Sequence, residues 1–251
     1  MKLFVASDIH SYYEPFINAL DEAGFDQNNE EHWLIVCGDC FDRGPDSNKL
    51  LQFLMSLERK ILVKGNHDLL LDECCLREFP YTNDVSNGTV KTILDIGGGI
   101  HGNISFDECC CRAYNKLAAY RGLLVNYFET EHYIFVHSWI PLNPKGFYNK
   151  YVYREDWREA TDQEWAKAMW GNPFFNAYDG LNETGKTIVF GHWHCSLGHA
   201  MDNGFDTDEF SESAIWDIYR NDNWKVIGID KCTAHTGEVN VLVLEDNFIN
   251  N

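Results

Sequence analysis

The sequence predicts an α/β fold built around a parallel sheet, and three features lead to this prediction. Short apolar runs of strand length recur at 2–7, 33–36 and 61–63. Between them lie amphipathic stretches, at 15–23 and 48–57, with apolar residues at the spacing of one helix face. Each apolar run is followed at once by polar residues. Strands that alternate with helices in this way are typical of βαβ units and a parallel sheet.

The composition limits the partners of the chain. It has 251 residues, 45% of them hydrophobic, which suits one large domain or one domain with insertions. The formal net charge of −19 predicts an acidic surface that repels nucleic-acid backbones and anionic membranes. No apolar run approaches the roughly 20 residues that a membrane-spanning helix needs. We therefore expect no nucleic-acid or membrane partner, and an anionic substrate needs a local positive site.

The start of the chain and its cysteines indicate a cytoplasmic protein. Met1 and Lys2 lead straight into the first apolar run, which is too short for the core of a signal peptide. The nine cysteines are odd in number and mostly adjacent, which favours reduced thiols over a disulfide framework. The sequence leaves the oligomeric state open.

The first and third apolar runs both end in residues that bind metal ions or transfer protons. Asp8 and His10 follow the first run, and Asn66 and His67 follow the third. Residues two apart on an extended segment point the same way, so Asp8 and His10 can reach one metal ion. The alternative is a surface loop with unrelated polar residues.

The second run is followed by the most informative stretch, which reads Gly38-Asp39-Cys40-Phe41-Asp42-Arg43-Gly44. Glycine lets the backbone approach a ligand closely. The two aspartates are hard oxygen ligands or general-base partners, and Arg43 is a fork-shaped clamp for an anion. An Asx turn with a salt bridge is the structural alternative. Loops after the carboxyl ends of strands are where α/β proteins place their chemistry.

Two later apolar runs, at 133–136 and 187–190, also end in ligand-type residues. His137 follows the first of these runs. His192 and His194 follow the second at alternating positions, so both imidazoles can face one pocket. The sequence therefore supplies candidate ligands from both halves of the chain.

The remaining segments are less specific. Residues 80–122 lack a regular pattern and predict irregular structure. Segment 141–183 is rich in Trp, Tyr and Phe, which is typical of a packed helical insert, with a wall or lid over a substrate site as the alternative. Arg154 lies within it and can reach an anion. Residues 225–230 and 239–244 predict closing strands of the sheet.

Taken together, the motifs resemble those of the calcineurin-like metallophosphoesterases, and within them the phosphoprotein-phosphatase branch. That branch includes serine/threonine protein phosphatases, bacteriophage lambda phosphatase and the symmetrical diadenosine tetraphosphate hydrolases. The matching residues occur in the family's order: Asp8-Ile9-His10, Gly38 to Gly44, Gly65-Asn66-His67-Asp68, His137, and Gly191-His192. The resemblance implies a four-layer α/β/β/α sandwich, formed as one domain by residues 1–251 with the insert at 141–183.

The resemblance also implies a site with two divalent metal ions. One ion is held by Asp8 and His10, the other by Asn66, His137 and His192, with Asp39 between them. His194 is expected to join the first ion, as its counterpart does in other metallophosphoesterases. His67 is the implied proton donor, oriented by Asp42, and the implied phosphate ligands are Arg43, Asn66 and Arg154. Oxygen and nitrogen donors favour Mn, with Fe or Zn as alternatives.

The implied reaction is hydrolysis of a phosphomonoester by a metal-activated hydroxide. The Asp42-Arg43-Gly44 sequence favours a serine/threonine or dual-specificity protein phosphatase acting on a phosphorylated protein. Asp68 replaces the glutamate usual in protein phosphatases, which favours the alternative of a small phosphoester, hydrolysed as by the diadenosine tetraphosphate hydrolases. A third alternative is a catalytically inactive protein that binds phosphate and regulates.

Overall fold

Strands and helices alternate at the start of the chain, as predicted. The protein is described by a computed structural model at residues 1–99, 102–146, 150–205, 210, 212–221 and 224–249. Its strands are β1 (Lys2–Ala6), β2 (His32–Cys37), β3 (Lys60–Val63), β4 (Leu124–Val125), β5 (Phe128–Glu129), β6 (Tyr133–Phe135), β7 (Asn143–Pro144), β8 (Tyr151–Val152), β9 (Thr187–Phe190), β10 (Trp216–Asn221), β11 (Trp224–Gly228) and β12 (Leu242–Glu245). Its helices are α1 (Tyr13–Ala23), α2 (Ser47–Ser56), α3 (Asn66–Arg77), α4 (Thr82–Ser86), α5 (Thr89–Gly97), α6 (Phe106–Lys116), α7 (Ala118–Arg121), α8 (Asp162–Ala168), α9 (Pro173–Tyr178), α10 (Cys195–Asp202) and α11 (Thr233–Thr236), with a 3₁₀ turn at Trp157–Glu159.

The longer strands form two sheets. The first has the order β12-β1-β2-β3-β4, and all its neighbours are parallel except β12 and β1. The second has the order β10-β11-β9-β6-β5, in which β11, β9 and β6 are parallel and the two edge strands run antiparallel to their neighbours. The first sheet thus contains four adjacent parallel strands, β1-β2-β3-β4, and the second contains three, β11-β9-β6.

The two sheets pack face to face. Successive residues of a strand point to opposite faces, so Leu3 and Val5 of β1 pack toward the second sheet while Phe4 and Ala6 pack away from it. The buried cluster between the sheets also contains Val189 of β9. Burial on both faces explains why these strands read as continuous apolar runs.

Helices cover the outer face of each sheet. The apolar sides of α1, α2, α3, α5 and α6 bury Phe4 and Ala6 of the first sheet. On the other side, α8, α9 and α10 cover the second sheet through Trp165, Phe174 and other buried side chains. The four-layer α/β/β/α arrangement that the sequence predicts is therefore confirmed.

The prediction of irregular structure at 80–122 is wrong. Helices α4 to α7 occupy most of the described part of that segment, and α5 packs on α6 through Ile93, Ile96, Cys109 and Cys110. Helix α5 was difficult to predict from the sequence because it is rich in Thr, Ile and Val, which have modest intrinsic helix propensity. Burial of one apolar side stabilises the helix instead.

The aromatic segment 141–183 is packed in its interior. Trp157, Trp165 and Phe174 are buried against the second sheet, as the packed-insert interpretation predicts. Phe147 and Tyr148, which belong to the same aromatic set, lie outside the described residues. Among the described residues, no helix has the length and apolar character that crossing a membrane requires.

Candidate metal centre

The carboxyl ends of the parallel strands in both sheets open into one cavity of about 410 Å³. Strands β1, β2 and β3 lead to it from the first sheet, and β9 and β11 lead to it from the second. Its lining includes most of the predicted site: Asp8, His10, Asp39, Arg43, Asn66, His67, His192 and His194. His137, which follows β6, is fully buried directly beneath, with its ring 4.9 Å from that of His192.

The backbone at this cavity is conformationally unusual. Six residues of the predicted site have φ between 49° and 74°, in the left-handed region that residues with a Cβ rarely adopt: Asp8, His10, Asp39, Asp42, Arg43 and His192. Such conformations cost free energy and persist only where the surrounding structure imposes them. Their concentration at the strand ends makes this cavity the candidate functional site.

Asp39 is the centre of the cluster. Its Oδ2 lies 3.4 Å from Nε2 of His137, 3.9 Å from Nε2 of His67 and 4.0 Å from Nε2 of His10. Its Oδ1 accepts a hydrogen bond of 3.0 Å from the backbone N–H of His67. Burial alone would raise the pKa of this carboxyl, but the surrounding imidazoles, with His137 foremost, hold it well below its usual range. Asp39 is therefore an anion surrounded by nitrogen donors.

Backbone carbonyls fix which nitrogen of two histidines carries the proton. The carbonyl oxygens of Phe41 and Cys37 can only accept, so Nδ1 of His10 and Nδ1 of His137 donate to them, each over 2.9 Å. Burial lowers the pKa of both rings, that of His10 to about 3, so both are neutral. Their Nε2 atoms therefore carry lone pairs that point to Asp39, as in metal-binding histidines.

This arrangement fits metal ions. The lone pair on Nε2 of His137 lies 2.8 Å from Oδ1 of Asn66, so two acceptors face each other with no proton between them. Burial and the neighbouring His137 lower the pKa of His192 to about 3, so this ring is neutral as well. Oxygen and nitrogen acceptors that converge in a buried site are the donor set of a divalent cation.

His67 differs from the other histidines. Burial alone would lower its pKa, but Asp39 and Asp42 together raise it above its usual value. Its Nδ1 donates to Oδ2 of Asp42 over 2.8 Å, and the same oxygen accepts the Thr89 hydroxyl over 2.7 Å. The raised pKa favours the protonated ring, and the bond to Asp42 turns Nε2 toward the cavity, which suits proton donation better than metal binding.

Residues 1–196 match the model of the calcineurin-like phosphoesterase family. The chain belongs to this family. The match covers every predicted site residue from Asp8 to His194.

Named relatives resemble only part of this family member. A symmetrical bis(5'-nucleosyl)-tetraphosphatase from Buchnera aphidicola subsp. Acyrthosiphon pisum is 40% identical over 72 residues, 28% of this chain and 26% of the relative. The enzyme of the same name from Proteus mirabilis is 40% identical over the same shares. The matches therefore span about a quarter of these relatives.

A solved structure supports the fold. A cold-active protein-tyrosine phosphatase from a psychrophilic Shewanella species superposes with a TM-score of 0.51 at 18% identity, covering 98% of this chain and 76% of that one. At this level of identity the likeness concerns the fold alone.

Arg43 supplies positive charge to the cavity of this family member. Its side chain is exposed at the lining, and no carboxylate of a described residue forms an ion pair with it. Its backbone is held in the left-handed conformation by a hydrogen bond from its N–H to the carbonyl of Asn87, over 3.1 Å. The guanidinium is thus available to an anion that enters the cavity.

The structure does not bring Arg154 to the cavity. Its guanidinium binds Asp156 over 2.7 Å and Glu164 over 2.6 Å, and the cavity lining does not include it. The two carboxylates neutralise the charge that the sequence analysis assigned to phosphate binding. The arginine belongs to the framework of the insert.

His194 lines the cavity but lies apart from the converging donors. Its Nδ1 is 2.7 Å from the Ser196 hydroxyl, and its ring stacks on Phe210 with the centroids 4.9 Å apart. The predicted alternation requires an extended backbone, but His192 has a φ of 67°, and His194 is the residue immediately before α10. The groups of converging donors among the described residues do not include His194.

Several cavity residues are absent from the sequence analysis. Asp230 follows β11 and is buried in the lining, and Trp170 and Trp193 form aromatic walls. The signal for Asp230 was present, since it is an acidic residue after an apolar strand. Trp170 carried no signal beyond the aromatic character of its segment.

Gly65 allows the close approach on which the centre depends. A Cβ added at Gly65 would lie 2.1 Å from Oδ1 of Asp39, nearer than any real contact. We expect Gly65→Ala to lower the free energy of unfolding by about 1–3 kcal/mol. Displacement of Asp39 should also lower kcat/KM by about 10²-fold. Thermal unfolding and steady-state kinetics measure both effects.

Gly122→Ala is the matched control for this substitution. At Gly122 the added Cβ meets nothing closer than 3.5 Å, and the backbone is in the right-handed helical region. This variant should match the wild type in stability and kcat/KM. Equal losses in the two variants would contradict the role assigned to Gly65.

Proposed function

We propose that this chain is a two-metal hydrolase that cleaves dinucleoside polyphosphates of the diadenosine tetraphosphate type. The proposal is supported by relatives named symmetrical bis(5'-nucleosyl)-tetraphosphatase, which share 40% identity over 72 residues. The sequence analysis favoured a phosphoprotein substrate on Asp42-Arg43-Gly44. The protein-tyrosine phosphatase structure compared above is distant from this chain, at 18% identity. The nucleotide alternative therefore has the better support.

We propose metal ligands from the donors around Asp39. Asp8 and His10 hold one ion, Asn66, His137 and His192 hold the other, and Asp39 lies between the two. We propose Mn²⁺ for both, with Fe or Zn as alternatives, because the converging donors are oxygen and nitrogen atoms. Two such ions, when bound, supply an activated water nucleophile and a positive clamp for phosphate oxygens.

The protein's own residues then bind the phosphate and move the proton. Arg43 pairs with phosphate oxygens at the cavity mouth. His67 carries a proton on Nε2, 3.9 Å from Oδ2 of Asp39, and donates it to the oxygen of the leaving group. Asp42 accepts the Nδ1–H of His67 and so keeps the ring cationic and correctly oriented. These roles account for the buried Asp42–His67 pair.

The observation that carries the choice of substrate is an exposed indole at the cavity. Trp170 is 52% exposed and lines the cavity, with its ring edge-on to His192 at a centroid distance of 6.3 Å. Trp193, half-buried, lines the same cavity. An exposed tryptophan beside a phosphate site is a stacking platform for a purine base, worth about 1–3 kcal/mol per base.

A panel of substrates tests this proposal. We expect kcat/KM for diadenosine tetraphosphate to exceed that for phosphoserine, phosphothreonine and phosphotyrosine peptides and for cyclic nucleotides by more than about tenfold, a preference of ~1.4 kcal/mol. p-Nitrophenyl phosphate with Mn²⁺ is the general control for activity. A phosphopeptide that exceeds diadenosine tetraphosphate would overturn the nucleotide assignment and restore the phosphoprotein one.

Trp170→Ala isolates the base platform. We expect it to raise KM for diadenosine tetraphosphate about tenfold, as one lost base stack requires, and to leave p-nitrophenyl phosphate within about twofold. Phe175→Ala is the matched control, because Phe175 is 56% exposed in the same segment but does not line the cavity. Equal changes on both substrates would instead indicate that Trp170 supports His192.

Three broader features complete the proposal. We propose that residues 1–251 act as one domain with the insert at 141–183. We also propose a cytoplasmic location, supported by nine cysteines that are all free. We also propose that the binding partner of the chain is its substrate, a small phosphoester.

A further inference from the structure

Asp230 occupies a position equivalent to that of the metal donors. In the second sheet β11 pairs in parallel with β9, and Gly228 lies opposite Phe190. The backbone N–H of Ile229 donates to the carbonyl of Phe190 over 2.9 Å, which continues the register past the strand end. Asp230 therefore reaches the sheet edge at the same level as His192.

The Asp230 side chain is buried and lines the cavity, and only one of its two carboxylate oxygens accepts a hydrogen bond from a described residue. It is only 6% exposed and lines the same cavity as Asp8, His10 and Asp39. Its Oδ1 accepts the backbone N–H of Cys232 over 2.7 Å. No described residue donates a hydrogen bond to its Oδ2. This oxygen is open to the cavity, where a cation or a water can bind it.

Asp230 lines the same cavity as Asp8 and His10, the proposed ligands of the first ion. Asp8 is tied to the second sheet at the level of Asp230, because its Oδ2 accepts the backbone N–H of His192 over 2.9 Å. Asp8, Asp39 and Asp230 are thus three buried carboxylates at one cavity, which a divalent cation would neutralise.

We propose that Asp230 is a further acidic determinant of the site that holds the ion bound by Asp8 and His10. It supplies negative charge and a carboxylate oxygen to that side of the cavity, where the sequence analysis placed His194. The proposal rests on the two-ion centre proposed above, and it does not depend on which phosphoester is the substrate.

Titration of the metal-free full chain with Mn²⁺ tests this role. We expect calorimetry to resolve two binding steps in the wild type. Asp230→Asn, which keeps the acceptor for Cys232, should weaken one step by about 10–100-fold and leave the other within about twofold. The thermal unfolding temperature of the metal-free variant should not fall, because the substitution removes a buried negative charge.

Asp246→Asn is the matched control. Asp246 is also 6% exposed, and it accepts the backbone N–H and the ring of His132. Among the described residues it belongs, with Glu131 and His132, to the group of three potential donors that does not contain Asp39. Both Mn²⁺ steps should persist in this variant, which assigns them to the cavity.

Several outcomes would overturn the proposal. Mn²⁺ binding that is unchanged in Asp230→Asn would overturn it. If KM for the substrate were raised in the same variant, Asp230 would position Arg43 instead. If Asp230→Asn fails to fold, Asp230→Glu keeps the charge and should bind Mn²⁺ within about tenfold of the wild type; a larger loss removes the role. A wild type that binds no Mn²⁺ refutes the two-ion centre itself.

Discussion

Asp39→Asn should cost the protein both metal ions and its turnover. The Oδ2 atom of Asp39 lies 4.0 Å from Nε2 of His10, a proposed ligand of one ion, and 3.4 Å from Nε2 of His137, a proposed ligand of the other. Asparagine keeps the size and the Oδ1 acceptor for the His67 N–H but removes the charge. We expect Mn²⁺ affinity to fall by more than the 10–100-fold typical of an outer partner. Metal analysis after dialysis measures the loss.

Asp246→Asn again serves as the control for Asp39→Asn, since it removes an equally buried carboxylate elsewhere. It should retain two ions and wild-type kcat. If Asp39→Asn kept both ions and its turnover, Asp39 could not be the bridging ligand.

His67→Asn should have a different signature from Asp39→Asn. We expect two ions to remain bound while kcat falls by about 10²–10⁴-fold, the range for a lost acid or base group. The reason is the Asp42–His67 hydrogen bond of 2.8 Å and the raised pKa of His67, which keep this ring protonated. Metal analysis beside steady-state kinetics separates the two variants.

The leaving group provides an internal control for the His67 prediction. A proton donor matters most for a basic leaving group, so the loss should be larger with phenyl phosphate than with p-nitrophenyl phosphate, whose phenol is more acidic. Loss of metal from His67→Asn would show that His67 is a ligand. Equal losses on the two substrates would contradict its role as a proton donor.

The site prediction rests on a local signal in the sequence. Each short apolar run ends in ligand-type residues, and the parallel order of β1, β2 and β3 brings Asp8, Asp39 and Asn66 to one edge of a sheet. The reason given for Asp8 and His10 was incomplete. Both residues have left-handed backbones rather than extended ones, so the loop conformation and not strand alternation turns them to the cavity.

The sequence could not predict what depends on tertiary packing. His194 looked equivalent to His192 at a spacing of two, but the turn at His192 and the start of α10 direct it to Ser196. Arg154 looked available for phosphate because the positions of Asp156 and Glu164 relative to it come only from the folded insert.

Two further limits concern the helices and the substrate. Helix α5 is stabilised by burial of Ile93 and Ile96, and its Thr, Ile and Val residues have modest helix propensity. The exposure of Trp170 at the cavity, on which the nucleotide assignment rests, depends on how the insert folds over the second sheet. Motif residues alone therefore predicted the chemistry better than the substrate.

Anomalous scattering from Mn²⁺-loaded crystals tests the central claim most directly. The two-ion account predicts two peaks about 3.5–4 Å apart on either side of Asp39. One peak should lie beside Asp8 and His10, the other beside His137 and His192. A single peak, or peaks only at the Glu131–His132–Asp246 group, would contradict it.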